Sequence, residues 1–211
     1  VYYESMTVDG QMDWRNALTK KNAAYLTGRQ SKGADEMFLN FWWTEDKLAK
    51  KELLKASAKP AKKQGINPYD LYAGVDVQSS GYDTPIKWNL FENPNGGTYT
   101  SLGLYCPSWA YFSAGTVQDF WKQENRMWVN AAGDPSAEAK VTDDTKWKGV
   151  STYVKERTAI TKLPFVTNFS VGNGYGFYKN GEQISLLDWN NRSIADVLPT
   201  YRYILENGEG N

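Results

Sequence analysis

Four short β-prone segments, spaced by helix-compatible stretches or a long loop, constrain the fold of this chain more than any other feature. They are "VYYESM" (1–6), "EMFLNFWW" (36–43), "DLYAGVDVQ" (70–78) and "TSLGLYCPSWAYF" (100–112). The third is almost continuously apolar, which is typical of a strand that is buried on both faces. Successive β-then-α units favour a parallel sheet. The pattern therefore predicts an α/β fold.

The segments between and after the strands predict three helices. "NALTKKNAAYL" (16–26) tolerates a helix, and "TVQDFWKQENRMWV" (116–129) predicts one after the fourth strand, with Phe120, Trp121 and Trp128 as apolar anchors. Residues 44–65 predict an amphipathic helix that begins at Thr44 as N-cap and ends near a glycine. After about residue 160, short β-prone runs alternate with glycines and with the turn dipeptide Asn180-Gly181. The C-terminal part is therefore predicted to be all-β.

The charge balance and the rare residues exclude several classes of function. Lys and Arg number 24 and so do Asp and Glu, so no net charge favours nucleic acid as a partner. The chain has no histidine, and Cys106 is its only cysteine. An internal disulfide, a cysteine-based zinc cluster and serine–histidine or cysteine–histidine catalysis are thereby excluded. Catalysis would have to use carboxylates, amides or tyrosine hydroxyls, and we expect no metal.

Neither a membrane span nor a signal peptide is visible in the sequence. No apolar segment approaches the roughly 20 residues that a transmembrane helix requires. The chain begins at Val1, without an initiator methionine, a charged n-region or an apolar h-region. We therefore expect it to be a piece excised from a longer protein.

The stretch "FLNFWW" (38–43) places several large aromatic rings where an apolar run meets a polar one. In a regular strand Trp42 and Trp43 would point to opposite faces, so one of them requires a reason other than packing. Two interpretations are open at this point. Both rings could be core residues, or one could be a stacking platform for a flat ligand at a strand end.

The order of seven motifs resembles glycoside hydrolase family 85, the endo-β-N-acetylglucosaminidases that cut the chitobiose core of N-linked glycans. The resemblance covers almost the whole chain. The motifs are "YYESMTVDGQMDWRNAL", "FLNFWWT", "DLYAGVDVQ", "SLGLYCPSWAY", "NRMWV", "WKGVSTYVKERTAITKLPFVTNFSVGNG" and "DWNNRSIADVLPTYRY".

The resemblance implies a particular fold. The family has a (β/α)₈ TIM barrel followed by β-sandwich modules, so the four units correspond to strands five to eight, the C-terminal half of the barrel. The implied domains are residues 1–162, the second half of the catalytic barrel, and residues 163–211, the start of the β-sandwich. The upstream half, in another chain or in an earlier segment, is the expected partner.

The resemblance also implies the chemistry. Family members use an Asn and a Glu two residues apart at the end of the fourth strand, upstream of the match to Val1. Asn-x-Glu occurs here at 180–182 and 207–209, in a β tail and beside the C-terminus, neither of which is a barrel strand end. The implied reaction is substrate-assisted and retaining, through an oxazoline, and leads to hydrolysis or transglycosylation of N-glycans without a cofactor. By resemblance the enzyme is secreted or on a bacterial cell surface, with the cytoplasm as the alternative.

Site residues follow from the same resemblance, because active sites of such barrels lie at the carboxyl ends of the strands. Tyr3 matches a catalytic tyrosine that contacts the reacting acetamido group. The implied substrate-binding residues are Trp14, Asn40, Phe41, Trp42, Asp76, Gln78 and Trp109. Asn40 could instead tie a loop, Asp76 could hold the barrel geometry, and Trp109 could form only an outer wall. Trp43 is expected to pack behind the strand.

Three functions compete on this basis. The leading hypothesis is part of a glycosidase domain that is active only with its upstream half. The second is a carbohydrate-binding piece that holds glycan without cleaving it. The third, a protein-interaction scaffold that uses exposed tryptophans, leaves the aromatic residues at the strand ends unexplained.

Overall fold

A computed structural model describes residues 1–28, 33–133, 141, 143, 146–154, 162–164, 173–174, 176–179, 182–187 and 189–190. The chain divides into two compact units. The first unit comprises residues 1–112 and 140–148, and the second unit comprises residues 113–139 and 149–211. The predicted domain boundary after residue 162 stays a prediction.

The first unit contains a parallel sheet of four strands. They are β1 (Tyr2–Tyr3), β2 (Met37–Phe38), β3 (Leu71–Asp76) and β4 (Ser101–Tyr105), in the spatial order β1-β2-β3-β4. One row of the register runs Tyr3, Phe38, Tyr72 and Ser101. The predicted α/β fold with a parallel sheet is confirmed.

The core of this unit includes one face of the sheet. Leu71, Ala73 and Val75 alternate along β3 and are all buried. Tyr72 points to the other face and is only partly buried. The buried core also includes residues from a helix, namely Leu53, Leu54, Ala58 and Ala61. The period-two pattern of β3 therefore assigns one face to the core and leaves the other more open.

Strand β2 is shorter than the predicted segment 36–43. The backbone still pairs with β3 beyond Phe38, since Leu39 N donates to Tyr72 O at 2.8 Å and Gly74 N donates to Asn40 O at 3.0 Å. Asn40 then adopts a left-handed conformation, with φ of 75°, and Trp42–Thr44 form a 3₁₀ turn. The prediction of a strand through Trp43 was wrong because this reversal ends the pleat.

Two helix predictions were also wrong in their bounds. The segment 16–26 contributes only part of α1 (Ala24–Thr27). The segment 44–65 is split into α2 (Asp46–Ala49) and α3 (Leu53–Lys63), because Glu52 between them is left-handed, with φ of 44°. Thr44 is not an N-cap. It belongs to the 3₁₀ turn, and its hydroxyl accepts a hydrogen bond from Lys87 N at 2.7 Å.

The remaining helices follow β4. They are α4 (Trp109–Phe112) and α5 (Val117–Glu124), and a π-helical turn, Asn125–Val129, continues α5. Thr116 caps α5 by accepting from Asp119 N at 3.1 Å, so the predicted start at 116 is confirmed. Further 3₁₀ turns are Pro68–Asp70, Gly81–Asp83, Trp88–Leu90 and Val150–Thr152.

Among its described residues, the second unit contains two antiparallel strand pairs. β5 (Asn173–Gly174) pairs with β8 (Trp189–Asn190), and β6 (Phe177–Lys179) pairs with β7 (Glu182–Ser185). These pairs agree with the β-prone texture predicted there, although Asn180-Gly181 lies outside the described residues. Among the residues that are described, no helix has the length and apolar character needed to cross a membrane.

Candidate active site

The carboxyl ends of the four parallel strands meet at one edge of the sheet. Glu4 directly follows β1, and Asn40 lies two residues beyond β2. Asp76 and Tyr105 are the last residues of β3 and β4 and are partners in the register. In parallel α/β folds this edge carries the functional side chains.

Two tryptophans form an open aromatic wall there. Trp14, in the loop after β1, contacts Tyr3 edge-on at 5.7 Å between ring centroids and contacts Trp42 at 5.4 Å. Trp14 is 47% exposed and Trp42 is 40% exposed. Both rings therefore keep surface available for a flat ligand.

A second row of rings extends from Tyr3 across the sheet. Tyr3 contacts Phe38 at 5.1 Å, Phe38 contacts Phe41 at 5.1 Å, and Phe41 contacts Tyr105 at 5.8 Å. The row connects the ends of β1, β2 and β4. It follows that side chains distant in sequence form one continuous aromatic surface.

The reversal at Asn40 explains why the aromatic residues of "FLNFWW" have different surroundings. Phe41 lines the open face of the sheet, and Trp42 is in the exposed wall. Trp43 is only 1% exposed, and its indole Nε1 donates to Gly74 O at 2.9 Å. Trp43 therefore packs behind the strand, as predicted. Phe41 and Trp42 lie at the candidate site.

A hydrogen-bond network lies beneath the wall. The Tyr3 hydroxyl donates to Asn40 Oδ1 at 2.9 Å, and Asn40 Nδ2 donates to Glu4 Oε1 at 3.3 Å. Glu4 Oε2 accepts from Arg15 N at 2.8 Å. Burial and then the Glu4 charge raise the pKa of Tyr3, so its hydroxyl stays protonated at neutral pH.

An apolar cavity of about 690 Å³ covers the open face of the sheet. Its lining includes Tyr3, Phe38, Tyr72, Leu104 and Tyr105, which come from all four strands. These residues are only partly buried or exposed. The cavity thus lies on the open face of the sheet, and the wall of Trp14 and Trp42 lies at the carboxyl edge of the sheet.

Three predicted site residues are engaged elsewhere at this edge. The exposed carboxylate of Asp76 accepts from Gln78 N at 2.9 Å and so orders the turn after β3. The ring of Trp109 covers Gly81 and contacts Tyr82 at 5.2 Å. The structure therefore brings Tyr3, Trp14, Asn40, Phe41 and Trp42 together. The other three residues, Asp76, Gln78 and Trp109, border the loop that follows β3. The substrate contacts of all eight residues stay predictions.

Within the described ranges, no group of three or more His, Cys, Asp or Glu side chains is arranged to hold a metal ion. The expectation of a cofactor-free site stays a prediction. The chemistry that the described side chains can provide is that of a neutral tyrosine hydroxyl, an oriented amide and aromatic ring faces. Chemically, such a set is complementary to a ligand that has apolar ring faces and polar substituents.

Comparison with known proteins decides the family. The model of glycosyl hydrolase family 85 matches residues 1–177. The chain belongs to glycosyl hydrolase family 85. The family resemblance seen in the sequence is thereby confirmed.

The relatives of this chain include proteins that are named as enzymes. The chain is 27% identical to the cytosolic endo-β-N-acetylglucosaminidase 1 of Arabidopsis thaliana over 212 residues, and 23% identical to the cytosolic endo-β-N-acetylglucosaminidase of Homo sapiens over 216 residues. Each alignment covers 100% of this chain but only 26% and 24% of the relative. The chain thus spans about a quarter of the length of these proteins.

A solved family 85 structure supports the α/β architecture. The glycoside hydrolase domain of Endo-D from Streptococcus pneumoniae R6 superposes with a TM-score of 0.68 at 28% identity. The superposition covers 95% of this chain and 31% of that one. The cytosolic names of the relatives do not support the secreted location expected from the resemblance, which stays a prediction.

Two further residues, to which the sequence assigned no role, are joined in the structure to the aromatic row and the hydrogen-bond network. Tyr105 joins the row through Phe41, and Glu4 joins the network through Asn40. A carboxylate within the β-prone segment 1–6 was the available signal for Glu4. The link to Asn40 could not be found in this way, because the two residues are 36 positions apart.

Proposed function

We propose that this chain forms part of the active site of an endo-β-N-acetylglucosaminidase that hydrolyses the GlcNAc-β1,4-GlcNAc bond of N-linked glycans. The observation that carries the proposal is the joint placement of the Tyr3 hydroxyl and the exposed faces of Trp14 and Trp42 at the carboxyl edge of a parallel sheet. Membership of family 85, whose named relatives are endo-β-N-acetylglucosaminidases, supports it.

The proposed reaction is substrate-assisted and retaining. The acetamido oxygen of the scissile GlcNAc attacks the anomeric carbon, the glycosidic bond breaks, and an oxazoline forms. A Glu upstream of this chain protonates the leaving oxygen and then activates water, while an upstream Asn orients the acetamido nitrogen. Attack by a sugar hydroxyl in place of water would give transglycosylation.

Each candidate site residue of this chain has a proposed role in that reaction. Tyr3 contacts the acetamido group through its protonated hydroxyl. Trp14, Phe41 and Trp42 place ring faces against the weakly polar C–H faces of the sugar. Asn40 keeps its two proposed roles, a contact from its amide to a sugar hydroxyl or a tie that orders the loop. Asp76, Gln78 and Trp109 serve more distant sugars, a proposal that rests on their position at the same edge.

The proposed architecture is the C-terminal half of a TIM barrel, with β1 to β4 as barrel strands five to eight and a β-sandwich after residue 162. The upstream half, on the same polypeptide or another chain, is the proposed partner. The open inner face and the partial coverage of Endo-D support this arrangement.

The test uses the full-length protein with glycopeptides that carry high-mannose or complex N-glycans. We expect mass spectrometry to detect a peptide that keeps a single GlcNAc, together with the released glycan. Changing the upstream Asn or Glu should abolish release. Binding of the glycopeptides without release would instead support the carbohydrate-binding alternative.

A further inference from the structure

Glu4 is a fully buried carboxylate to which the proposed reaction assigns no role. Its exposed fraction is 0%. Burial raises its pKa, while hydrogen bonds from the Arg15 and Asn16 backbone and from the Asn40 side chain, followed by the Arg15 charge, oppose that rise. Burying a carboxylate is costly unless its oxygens are satisfied, and here donors from separate segments converge on it.

The partners of Asn40 determine the orientation of its amide. Asn40 Oδ1 accepts from Phe41 N at 2.8 Å and from the Tyr3 hydroxyl at 2.9 Å. Asn40 Nδ2 faces Glu4 Oε1 at 3.3 Å. An ionised carboxylate only accepts hydrogen bonds, so it requires the amide nitrogen on its own side. The Asn40 oxygen is then held toward Tyr3.

This orientation fixes the direction of the Tyr3 hydroxyl. Because the Tyr3 hydrogen is donated to Asn40, the lone pairs of the Tyr3 oxygen are left to accept a hydrogen bond from the cavity side. Tyr3 lines that cavity. The hydroxyl is therefore set as an acceptor for a ligand N–H or O–H.

Glu4 also anchors the loop that carries the aromatic wall. Its Oε2 accepts from Arg15 N at 2.8 Å, and Arg15 directly follows Trp14. One carboxylate thus connects the end of β1, the loop after it and the residues after β2. A rigid connection of this kind keeps catalytic groups within the small tolerances that reaction geometry requires.

We propose that Glu4 is a positioning residue of this active site: its carboxylate orients the Asn40 amide, which turns the Tyr3 hydroxyl into a hydrogen-bond acceptor toward the substrate. This inference rests on the proposed function, in which Tyr3 contacts the reacting acetamido group. It predicts that donor and acceptor can be exchanged between residues 4 and 40 without loss of the arrangement.

The test exchanges the polarity of this hydrogen bond in the full-length protein. In Glu4→Gln, the new amide oxygen can still accept from Arg15 N, but the new amide nitrogen then faces the Asn40 nitrogen. Both groups are hydrogen-bond donors, so they repel each other. In the double variant Glu4→Gln with Asn40→Asp, the new amide donates to the new carboxylate. The other carboxylate oxygen still accepts from Tyr3 and Phe41, and the total charge is that of the wild type.

With a high-mannose glycopeptide as substrate, we expect Glu4→Gln to lower kcat by about tenfold or more, with a smaller change in KM. The double variant should recover most of the lost kcat. Glu92→Gln is the matched control, because Glu92 is also a partly buried carboxylate of the first unit and accepts from Lys148 Nζ at 2.6 Å, but it neither lines the cavity nor belongs to the Tyr3–Asn40–Glu4 network. Its kcat should stay within about twofold of the wild type.

An unchanged kcat in Glu4→Gln, or a double variant no better than the single one, would overturn the inference. If the wild type releases no glycan, the proposed function has failed, and crystal structures decide the geometry separately. The distance from Tyr3 Oη to the side chain of residue 40 should exceed 3.5 Å in the single variant and return in the double. An unaltered hydrogen bond in the single variant would overturn the positioning role.

Discussion

At the scale of single residues, Trp42 offers the most direct test of a sugar contact. Its indole is 40% exposed and is supported from the side by Trp14. Loss of an aromatic face against a sugar costs about 1–3 kcal/mol. We therefore expect Trp42→Ala in the full-length protein to raise KM for a glycopeptide by about tenfold or more, with a smaller loss in kcat.

Trp128→Ala is the control for this experiment, because Trp128 is similarly exposed but lies in the other unit. Steady-state kinetics of both variants, with circular dichroism to verify folding, makes the comparison. A folded Trp42→Ala variant with wild-type KM and kcat would remove Trp42 from the substrate site.

Removal of the Tyr3 hydroxyl should have the opposite kinetic signature. A group that contacts the reacting acetamido group acts mostly in the transition state, so Tyr3→Phe should lower kcat more than it raises KM. The ring contacts to Trp14 and Phe38 remain in this variant. Equal kcat values for the two proteins would reduce Tyr3 to a packing residue.

Partly buried tyrosines should make the first unit sensitive to alkali. Burial is the main cause that raises the pKa of Tyr2, Tyr3 and Tyr72 above the ordinary value of about 10. Above that pH the unfolded chain loses these protons while the folded chain keeps them, so the free energy of unfolding falls as pH rises.

Denaturant unfolding at about pH 8 and pH 11 measures this effect. We expect the free energy of unfolding to fall less between these two pH values in Tyr2→Phe than in the wild type. The variant removes one group of raised pKa, together with the hydroxyl that donates to Asn22 O. A pH dependence identical in the variant and the wild type would contradict the prediction.

At the scale of secondary-structure elements, Gly74 in β3 allows close packing of the residues at and just beyond the end of β2, Phe38 and Asn40. A Cβ at Gly74 would lie 2.4 Å from Phe38 Cζ and 2.9 Å from Asn40 O, so ring and backbone would both have to move. We expect Gly74→Ala to lower the free energy of unfolding by about 1–3 kcal/mol and to reduce activity.

Gly103→Ala is the matched control on the neighbouring strand. Gly103 pairs with Gly74 in the register, but an added Cβ there would have its closest contact at 3.5 Å, an ordinary van der Waals distance. Thermal melts of the two variants should therefore differ clearly. A melting temperature equally lowered in both would indicate that the effect is general to glycine in these strands.

Sequence patterns predicted the elements whose signal is local. The apolar run of β3 and the Thr116 cap of α5 were found because periodicity and capping depend on near neighbours. The left-handed residues Asn40 and Glu52 were not found, because residue propensities do not mark which single non-glycine residue adopts a positive φ. In the site, the motif resemblance indicated Tyr3 and Trp42, whereas the role of Glu4 emerged only when Asn40 was brought against it.

At the scale of the whole molecule, the sheet of the first unit has two outer strands. β1 and β4 each pair on one side only among the described strands, and the open face of the sheet carries the apolar cavity. Unpaired edges and exposed apolar faces favour association with further strands. The proposed upstream half of a barrel would pair with both edges and fill the inner face.

Hydrogen–deuterium exchange tests this arrangement with an internal control. We expect amides near residues 1–6 and 100–106 to exchange at least tenfold more slowly in the full-length protein than in the isolated 211-residue chain, because partner strands would occupy their free edges. Amides of β3 already pair on both sides and should differ less. Equal exchange of the edge strands in the two proteins would contradict the half-barrel architecture, and with it the proposal that an upstream Asn and Glu complete this site.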